Sequence, residues 1–277
     1  MLNCNGKLIN KSEFSLTNNN RAFKYGDAIF ETLNIQNSAI VFWEDHYFRL
    51  MASMRMLRME IPMEFTLEFL EQEIIKTVNA NADFNQKRVR LSIYRKDGGF
   101  YEPLTNEVDF LIEVSENNYQ RKKAYRIDLF KDYYNYSGIL STLKTSNRML
   151  NTLASVYSKE NDLDNCILIN ENKGVAEAIN ANIFIVKGTV IKTPALTEGC
   201  VKGIIRKKII EVLQKNDDYS VVETSISPFE MQKADEVFLT NSIIGIQPVT
   251  KYRKKEYATE IGGKLAATLK MMQITEK

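Results

Sequence analysis

Lys144 stands in L-K-T-S-N-R, behind the apolar-rich S-G-I-L-S-T-L and ahead of R-M-L-N-T-L-A-S-V-Y. In the latter segment Met149, Leu150, Leu153 and Tyr157 recur at helical spacing. A primary amine therefore sits where a loop hands over to a helix, a position from which a side chain can be aimed into a cleft. Only a primary amine forms a covalent imine with a carbonyl carbon. Glu177 lies in V-A-E-A-I-N-A-N-I-F, after I-L-I-N-E-N-K-G-V, which reads as a strand, a turn on Asn172, Lys173 and Gly174, and a second strand. A carboxylate there can hold a protonated nitrogen. The segment T-P-A-L-T-E-G-C-V-K-G-I-I-R ends a strand at Pro194, loops, and opens a helix near Gly203. Ile204, Ile205, Ile209, Ile210 and Val212 then keep a 3.6-residue period. Taken singly, each of these residues has an ordinary structural reading: a solvated lysine, a solvent-facing strand glutamate, a loop glycine.

Taken together, their order and spacing resemble the fold-type IV pyridoxal-phosphate (PLP) enzymes, which include branched-chain and D-amino-acid aminotransferases and aminodeoxychorismate lyase. The pattern E-x-x-x-x-N-[LIV]-F appears as Glu177 followed by Asn182-Ile183-Phe184. The resemblance implies pyridoxal 5'-phosphate as cofactor, with Lys144 as its covalent anchor and Glu177 holding the pyridine nitrogen protonated. It implies a phosphate cup built from the amides of Ile204 and Ile205, with Gly203 allowing close approach, from the Thr240 hydroxyl in V-F-L-T-N-S, and from the Arg49 guanidinium in E-D-H-Y-F-R-L. Alone, Arg49 reads as a snorkelling helix arginine. The segment Y-G-D-A-I-F-E-T, from Tyr25 to Thr32, resembles the family stretch that lines the active site, which brings in Tyr25, Phe30 and Thr32. For the substrate carboxylate the candidates are Arg95 and Tyr101, with Lys96 as a weaker one. Phe100 stands where the lyases carry an arginine, and Asn34 where aminotransferases often do.

Composition narrows the classes. The chain has 277 residues, 44% of them hydrophobic, enough for one large core or two smaller ones. A net charge of +2 with scattered basic residues argues against a nucleic-acid binder. Three scattered cysteines, Cys4, Cys166 and Cys200, suit neither a disulfide frame nor a zinc site and point to a reducing compartment. No apolar stretch reaches about 18 residues, and the N-terminus lacks an apolar leader, so a cytoplasmic protein away from membranes is expected. His46 is the only histidine, which rules out multi-histidine metal sites. It lies one helical turn from Arg49, so support of that arginine is one reading, but a place on the helix surface is expected, leaving proton transfer to lysine, tyrosine or a carboxylate.

These residues must be positioned by an α+β chain. Strands are predicted at Lys7–Ile9, Ile29–Ile35, Ala39–Phe42, Lys87–Arg95 and Glu107–Val114, and helices at Glu44–Met59, Thr66–Ala80, Met149–Asn161, Gly203–Gln214 and Glu260–Met272. Met51, Met54, Met56 and Met59 read as helical core. A smaller N-terminal domain over 1–118, a linker over 119–124 and a larger cofactor-binding domain over 125–277 are expected, and the resemblance implies a cofactor between them and a homodimer.

The resemblance leaves two reactions. The first is transfer of an amino group between an amino acid, branched-chain among the options, and a 2-oxo acid. The second is elimination of pyruvate from aminodeoxychorismate with release of 4-aminobenzoate, favoured by Thr32, by Lys144-Thr145-Ser146-Asn147-Arg148 and by the short chain. Transamination is the expectation because it is the commoner activity of the family. A non-catalytic metabolite-binding relative would show erosion at the cofactor residues, and none is seen. A hydrolase using Ser146 and Lys144 would leave Glu177 and Gly203 without a role.

Overall fold

The computed structural model describes residues 1–81 and 86–275, which divide into two compact units. Unit 1 comprises Met1–Asn118 together with Lys144–Asn147, and unit 2 comprises Tyr119–Leu143 and Arg148–Thr275. Thus the lysine segment, expected in the second domain, groups with the first. Of the expected linker, Tyr119 and Lys122 belong to unit 2, where the Tyr119 hydroxyl and the Lys122 N–H both donate to Gln247 Oε1, at 2.8 and 3.0 Å.

Unit 1 is a six-stranded antiparallel sheet of β1 (Leu2–Cys4), β2 (Lys7–Ile9), β3 (Ala28–Gln36), β4 (Ala39–Ile40), β5 (Lys87–Arg95) and β6 (Val108–Glu116), in the order β2-β1-β6-β5-β3-β4. Its helices are α1 (Arg21–Tyr25), α2 (Trp43–Met56) and α3 (Leu67–Asn79). Strand alternation gives the sheet two distinct faces. One is built from the rows Ile29–Ile93–Phe110 and Leu33–Val89–Val114, which share a core with Leu50, Met51 and Met54 of α2 and Leu70 and Ile74 of α3. The other carries Phe30 beside Ser92 and Thr32 beside Arg90. The lysine segment joins the edge of β3: Phe30 N–H donates to Lys144 O at 2.9 Å, Ser146 N–H donates to Ala28 O at 2.8 Å, and Thr145 pairs with Ile29. Gly26 caps α1 in the left-handed conformation, and a Cβ there would lie 2.2 Å from Asn147 Oδ1, so this approach requires glycine.

Unit 2 holds α4 (Met149–Glu160), α5 (Ile204–Gln214), α6 (Pro228–Lys233) and α7 (Glu260–Thr275). It also has two five-stranded sheets. The first contains β7 (Arg126–Phe130), β8 (Asn165–Ile169), β9 (Val175–Ala178), β15 (Lys251–Tyr252) and β16 (Lys255–Glu256), in the order β16-β15-β7-β8-β9. The second runs β12-β11-β10-β13-β14, with β10 (Asn182–Lys187), β11 (Val190–Pro194), β12 (Ser220–Thr224), β13 (Glu236–Asn241) and β14 (Gly245–Val249). Ile127, Ile167 and Val175 of the first sheet and Ile183, Val237 and Leu239 of the second share one core. The mixture of helices with antiparallel and mixed sheets is the expected α+β class. The apolar positions at helical spacing in α4 divide: Leu150 and Tyr157 pack in part against the core, Met149 and Leu153 are exposed, and Ala154 and Ser158 are the buried positions. Small side chains let that helix approach β8 closely, a signal that hydrophobic periodicity does not carry.

Candidate active site

In unit 1 the amine faces an aromatic ring. Lys144 Nζ lies 4.5 Å from the centroid of Phe30, and the Arg90 guanidinium lies 3.7 Å from the same centroid. Two cations against one ring are tolerable because the π face is electron-rich. Arg90 is half-buried and its Nε donates to Ser92 Oγ at 3.1 Å. Desolvation lowers its pKa, while Glu113 opposes that shift. The sequence reading missed Arg90. The signal was its place on the same strand face as Ser92, across from Thr32, which is itself half-buried beside Phe30.

Arg95 is corrected as a substrate-carboxylate candidate. It is 7% exposed; its Nε donates to Asp27 at 2.9 Å, Nη2 donates to Leu57 O at 2.9 Å, and Nη1 donates to Arg58 O and to Asn106. Its fork ties the end of α2 to β5, and the chain itself takes these donors. Lys96 is exposed and paired with Glu107. Tyr101 is 90% exposed, with its ring 5.6 Å from that of Tyr25. Its loop is pinned by Arg21, which donates to the carbonyls of Gly98, Phe100 and Tyr101.

His46 is the second correction. It is not on the helix surface but 1% exposed, with Nδ1 2.7 Å from Glu31 Oε2. Burial lowers its pKa, and Glu31 only partly counters this. Arg49 donates from Nε to Glu31 Oε1 at 2.8 Å and from Nη2 to Glu31 Oε2. Burial opposes ionisation of Glu31, but Arg49 and His46 outweigh it and hold its pKa at about 2. Glu31 was legible in principle: in I-F-E-T-L-N-I it takes an inward position between Ile29 and Leu33.

Unit 2 gathers the remaining candidates. Glu177, on β9, is buried, and its Oε2 accepts the Val201 N–H at 2.9 Å. Asn182, on β10, donates from Nδ2 to Val201 O at 2.8 Å. A Cβ on Gly203 would lie 1.9 Å from Asn182 Oδ1, so the residue capping α5 must be glycine on grounds of space. Ile204 and Ile205 follow in the first turn, where backbone N–H groups have no intrahelical acceptor. Thr240, paired with Asn182 across β10 and β13, is buried, and its hydroxyl has no hydrogen-bond partner among the described residues. An unpaired buried hydroxyl costs about 1–3 kcal/mol, so this orphan calls for an acceptor from outside the chain. Arg206 anchors the helix by donating to Pro194 O at 2.8 Å. The Cys200 thiol, pushed up to about 12 by burial, stays protonated and is no nucleophile. A helix start opened by glycine, an orphan hydroxyl and a fixed carboxylate suit a ligand with an anionic group at one end and a protonatable nitrogen at the other. These residues therefore fit pyridoxal phosphate. Among the described residues no cluster of metal-ligating side chains is assembled and no helix is long and apolar enough to cross a membrane.

Comparison with known proteins agrees. The aminodeoxychorismate lyase of Vibrio harveyi is 25% identical over 231 residues, covering 83% of this chain and 84% of that protein. The D-alanine aminotransferase of Bacillus licheniformis is 25% identical over 269 residues, covering 89% and 86%. The fold matches the branched-chain aminotransferase of Thermoproteus uzoniensis, solved with norvaline, at a TM-score of 0.91 and 22% identity, over 100% of this chain and 95% of that one. The family model for amino-transferase class IV matches residues 28–252. The chain belongs to that family of PLP-dependent enzymes, which holds both aminotransferases and aminodeoxychorismate lyases.

Proposed function

We propose that this enzyme is an aminotransferase that moves an amino group between an amino acid and a 2-oxo acid. The observation that carries the cofactor assignment is the orphan Thr240 hydroxyl, opposite the asparagine that packs on Gly203 at the start of α5. On this reading the Ile204 and Ile205 amides, the Thr240 hydroxyl and Arg49 hold the phosphate. Asn182 shapes the loop, and Glu177 accepts the N–H of the pyridinium. Pyridoxal phosphate, when bound, supplies an electron sink for the pair left behind when the substrate loses its α-proton. Lys144 Nζ would move that proton: returning it to the cofactor side would complete transfer of the amino group, whereas in elimination the electron pair would break the bond to the β-substituent, which leaves. Phe30 holds the amine in place. Arg90, on the same face of the sheet, is the cation available to a substrate carboxylate once Arg95 is committed elsewhere. A branched-chain donor is one option within this class. Thr32, one row from Phe30 on that face, favours the lyase as the second reading.

A homodimer is supported by the exposed stripe Met149, Leu153 and Val156 along α4, apolar positions at helical spacing that the described residues leave uncovered. A cytoplasmic location fits three cysteines that are all free thiols.

Purified protein should be yellow, and borohydride should fix the chromophore to the peptide containing Lys144; light scattering should give twice the monomer mass. Protein that stays colourless after incubation with pyridoxal phosphate would refute the cofactor assignment, and a monomer mass would refute the dimer.

Glu177→Gln should keep the bound cofactor and slow turnover by about a hundredfold or more, roughly 2.7 kcal/mol of transition-state stabilisation. Single-turnover rates equal to wild type would mean that another group holds the ring nitrogen.

Arg90→Gln should leave the colour intact and raise KM for the amino substrate roughly tenfold or more, the value of a charge-assisted hydrogen bond. An unchanged KM assigns the carboxylate elsewhere.

The two reactions separate in a half-reaction. An aminotransferase mixed with glutamate, alanine or a branched-chain amino acid converts to its pyridoxamine absorbance, and a 2-oxo acid restores the starting spectrum. Rapid pyruvate release from aminodeoxychorismate, sensitive to Thr32→Val and with no spectral conversion by any donor, would replace the aminotransferase by the lyase.

A further inference from the structure

Glu31 occupies the β3 position beside Leu91 of β5, which itself neighbours Ile112 of β6, so its neighbours on the two adjacent strands are apolar. A leucine there would pack without desolvating a charge, and replacing buried ion pairs by apolar side chains is often neutral or stabilising. Core packing therefore gives no reason for a carboxylate at this position. What distinguishes it is what α2 brings to it. His46 and Arg49 are one helical turn apart and both reach the same carboxylate, His46 through Nδ1 and Arg49 through both Nε and Nη2. Two parallel bonds along one edge of a guanidinium fix its plane as well as its place, which a single bond does not. The imidazole, kept neutral by burial, donates Nδ1–H to Oε2 and stops the carboxylate from rotating.

We infer that Glu31 is a positioning residue for phosphate binding: it orients the Arg49 guanidinium in advance of the cofactor, with His46 as the prop of its carboxylate. This rests on the reading that Arg49 meets the phosphate of pyridoxal phosphate. The charges make the sign of the effect diagnostic. Glu31 and Arg49 cancel and His46 is neutral, so the trio offers the phosphate directed N–H groups rather than net charge. Replacing Glu31 by glutamine removes one negative charge beside Arg49. If charge governed binding, that variant would hold phosphate more tightly. If orientation governs, it holds phosphate less tightly, because an amide presents one acceptor where the carboxylate presents two and sets an N–H against the donors of Arg49 or His46.

The test is titration of the apoprotein with pyridoxal phosphate and, separately, with pyridoxal, which lacks the phosphate. Glu31→Gln should raise the Kd for pyridoxal phosphate by about tenfold or more and leave that for pyridoxal within about threefold, as expected for loss of a charge-assisted hydrogen bond acting through the phosphate alone. An unchanged or lowered Kd for pyridoxal phosphate overturns the proposal. Arg49→Gln separates it from the reading beneath it. If Arg49→Gln leaves the ratio of the two Kd values unchanged, the assignment of Arg49 to the phosphate fails. If it collapses the ratio while Glu31→Gln does not, only the positioning role fails. Should Glu31→Gln not fold, the wild-type apoprotein decides. With 15N-labelled arginine, the Arg49 Nε–H resonance, identified by its loss in Arg49→Gln, should exchange slowly with solvent before any cofactor is added, and exchange at the rate of surface arginines overturns the proposal.

Discussion

The backbone of Val201 is the point on which the candidate site of unit 2 depends. Its N–H donates to Glu177, and its carbonyl accepts from Asn182 and from the Gly203 N–H. One loop residue thus links the carboxylate on β9, the amide on β10 and the cap of α5. A hydrogen bond to a buried carboxylate is worth about 1.5–3 kcal/mol, well above the ~0.2–1 kcal/mol of an exposed ion pair such as Lys96–Glu107. That difference decides which contacts set the geometry. The loop is fixed by its buried polar contacts, and the surface pairs around it add little. Gly203 is bound into the same arrangement, because only a residue without a Cβ lets Asn182 approach closely enough to hold Val201.

Unit 1 solves a different problem with one strand. β3 must pack against helices on one face and present an amine, an aromatic ring and a hydroxyl on the other. Alternation separates the two duties: Ile29, Leu33 and Ile35 enter the core while Phe30 and Thr32 stay half-buried. The lysine segment then adds to the strand edge through backbone bonds at Phe30 and Ala28, so the register of Lys144 is fixed by the same strand that supplies its aromatic neighbour. Pairing by backbone makes this placement indifferent to most side-chain changes, and a slip by one residue would move Lys144 away from Phe30 altogether.

Much of this was legible in the sequence because the informative patterns are local. The strands Lys7–Ile9 and Lys87–Arg95 agree with the structure residue for residue. The end of α2 was not legible. Its pattern runs on to Met59, yet the helix stops at Met56, Arg58 turns to φ 54°, and Arg95 collects the Leu57 and Arg58 carbonyls from a distant strand. The same contact explains why Arg95 reads as a free cation in sequence and is a committed donor in the fold. His46 fails for a related reason: helical spacing says which residues share a side, not what lies opposite, and here what lies opposite is a carboxylate on β3. The strand Ala39–Phe42 shortens to Ala39–Ile40 because Phe42 takes a left-handed turn to start α2. The misses at Arg95 and His46 each involve a partner distant in sequence, whereas the one at Phe42 is a local turn of the backbone.

The Lys144 face of unit 1 also bears on why one family holds both transfer and elimination. On the proposed reading, the same amine, carboxylate and phosphate cup serve either reaction, so the choice between them falls to the groups around Lys144. Here those are Phe30, Thr32, Arg90 and Ser92, contributed by two adjacent strands at fixed register. Arg90, stacked on the Phe30 ring and bonded to Ser92, is held in one place, which on that reading would limit the carboxylates it could reach. On that reading, substitutions within these two strand rows act on the choice of reaction, because Phe30 and Thr32 face away from the core rows of β3 and take no part in the Val201 network.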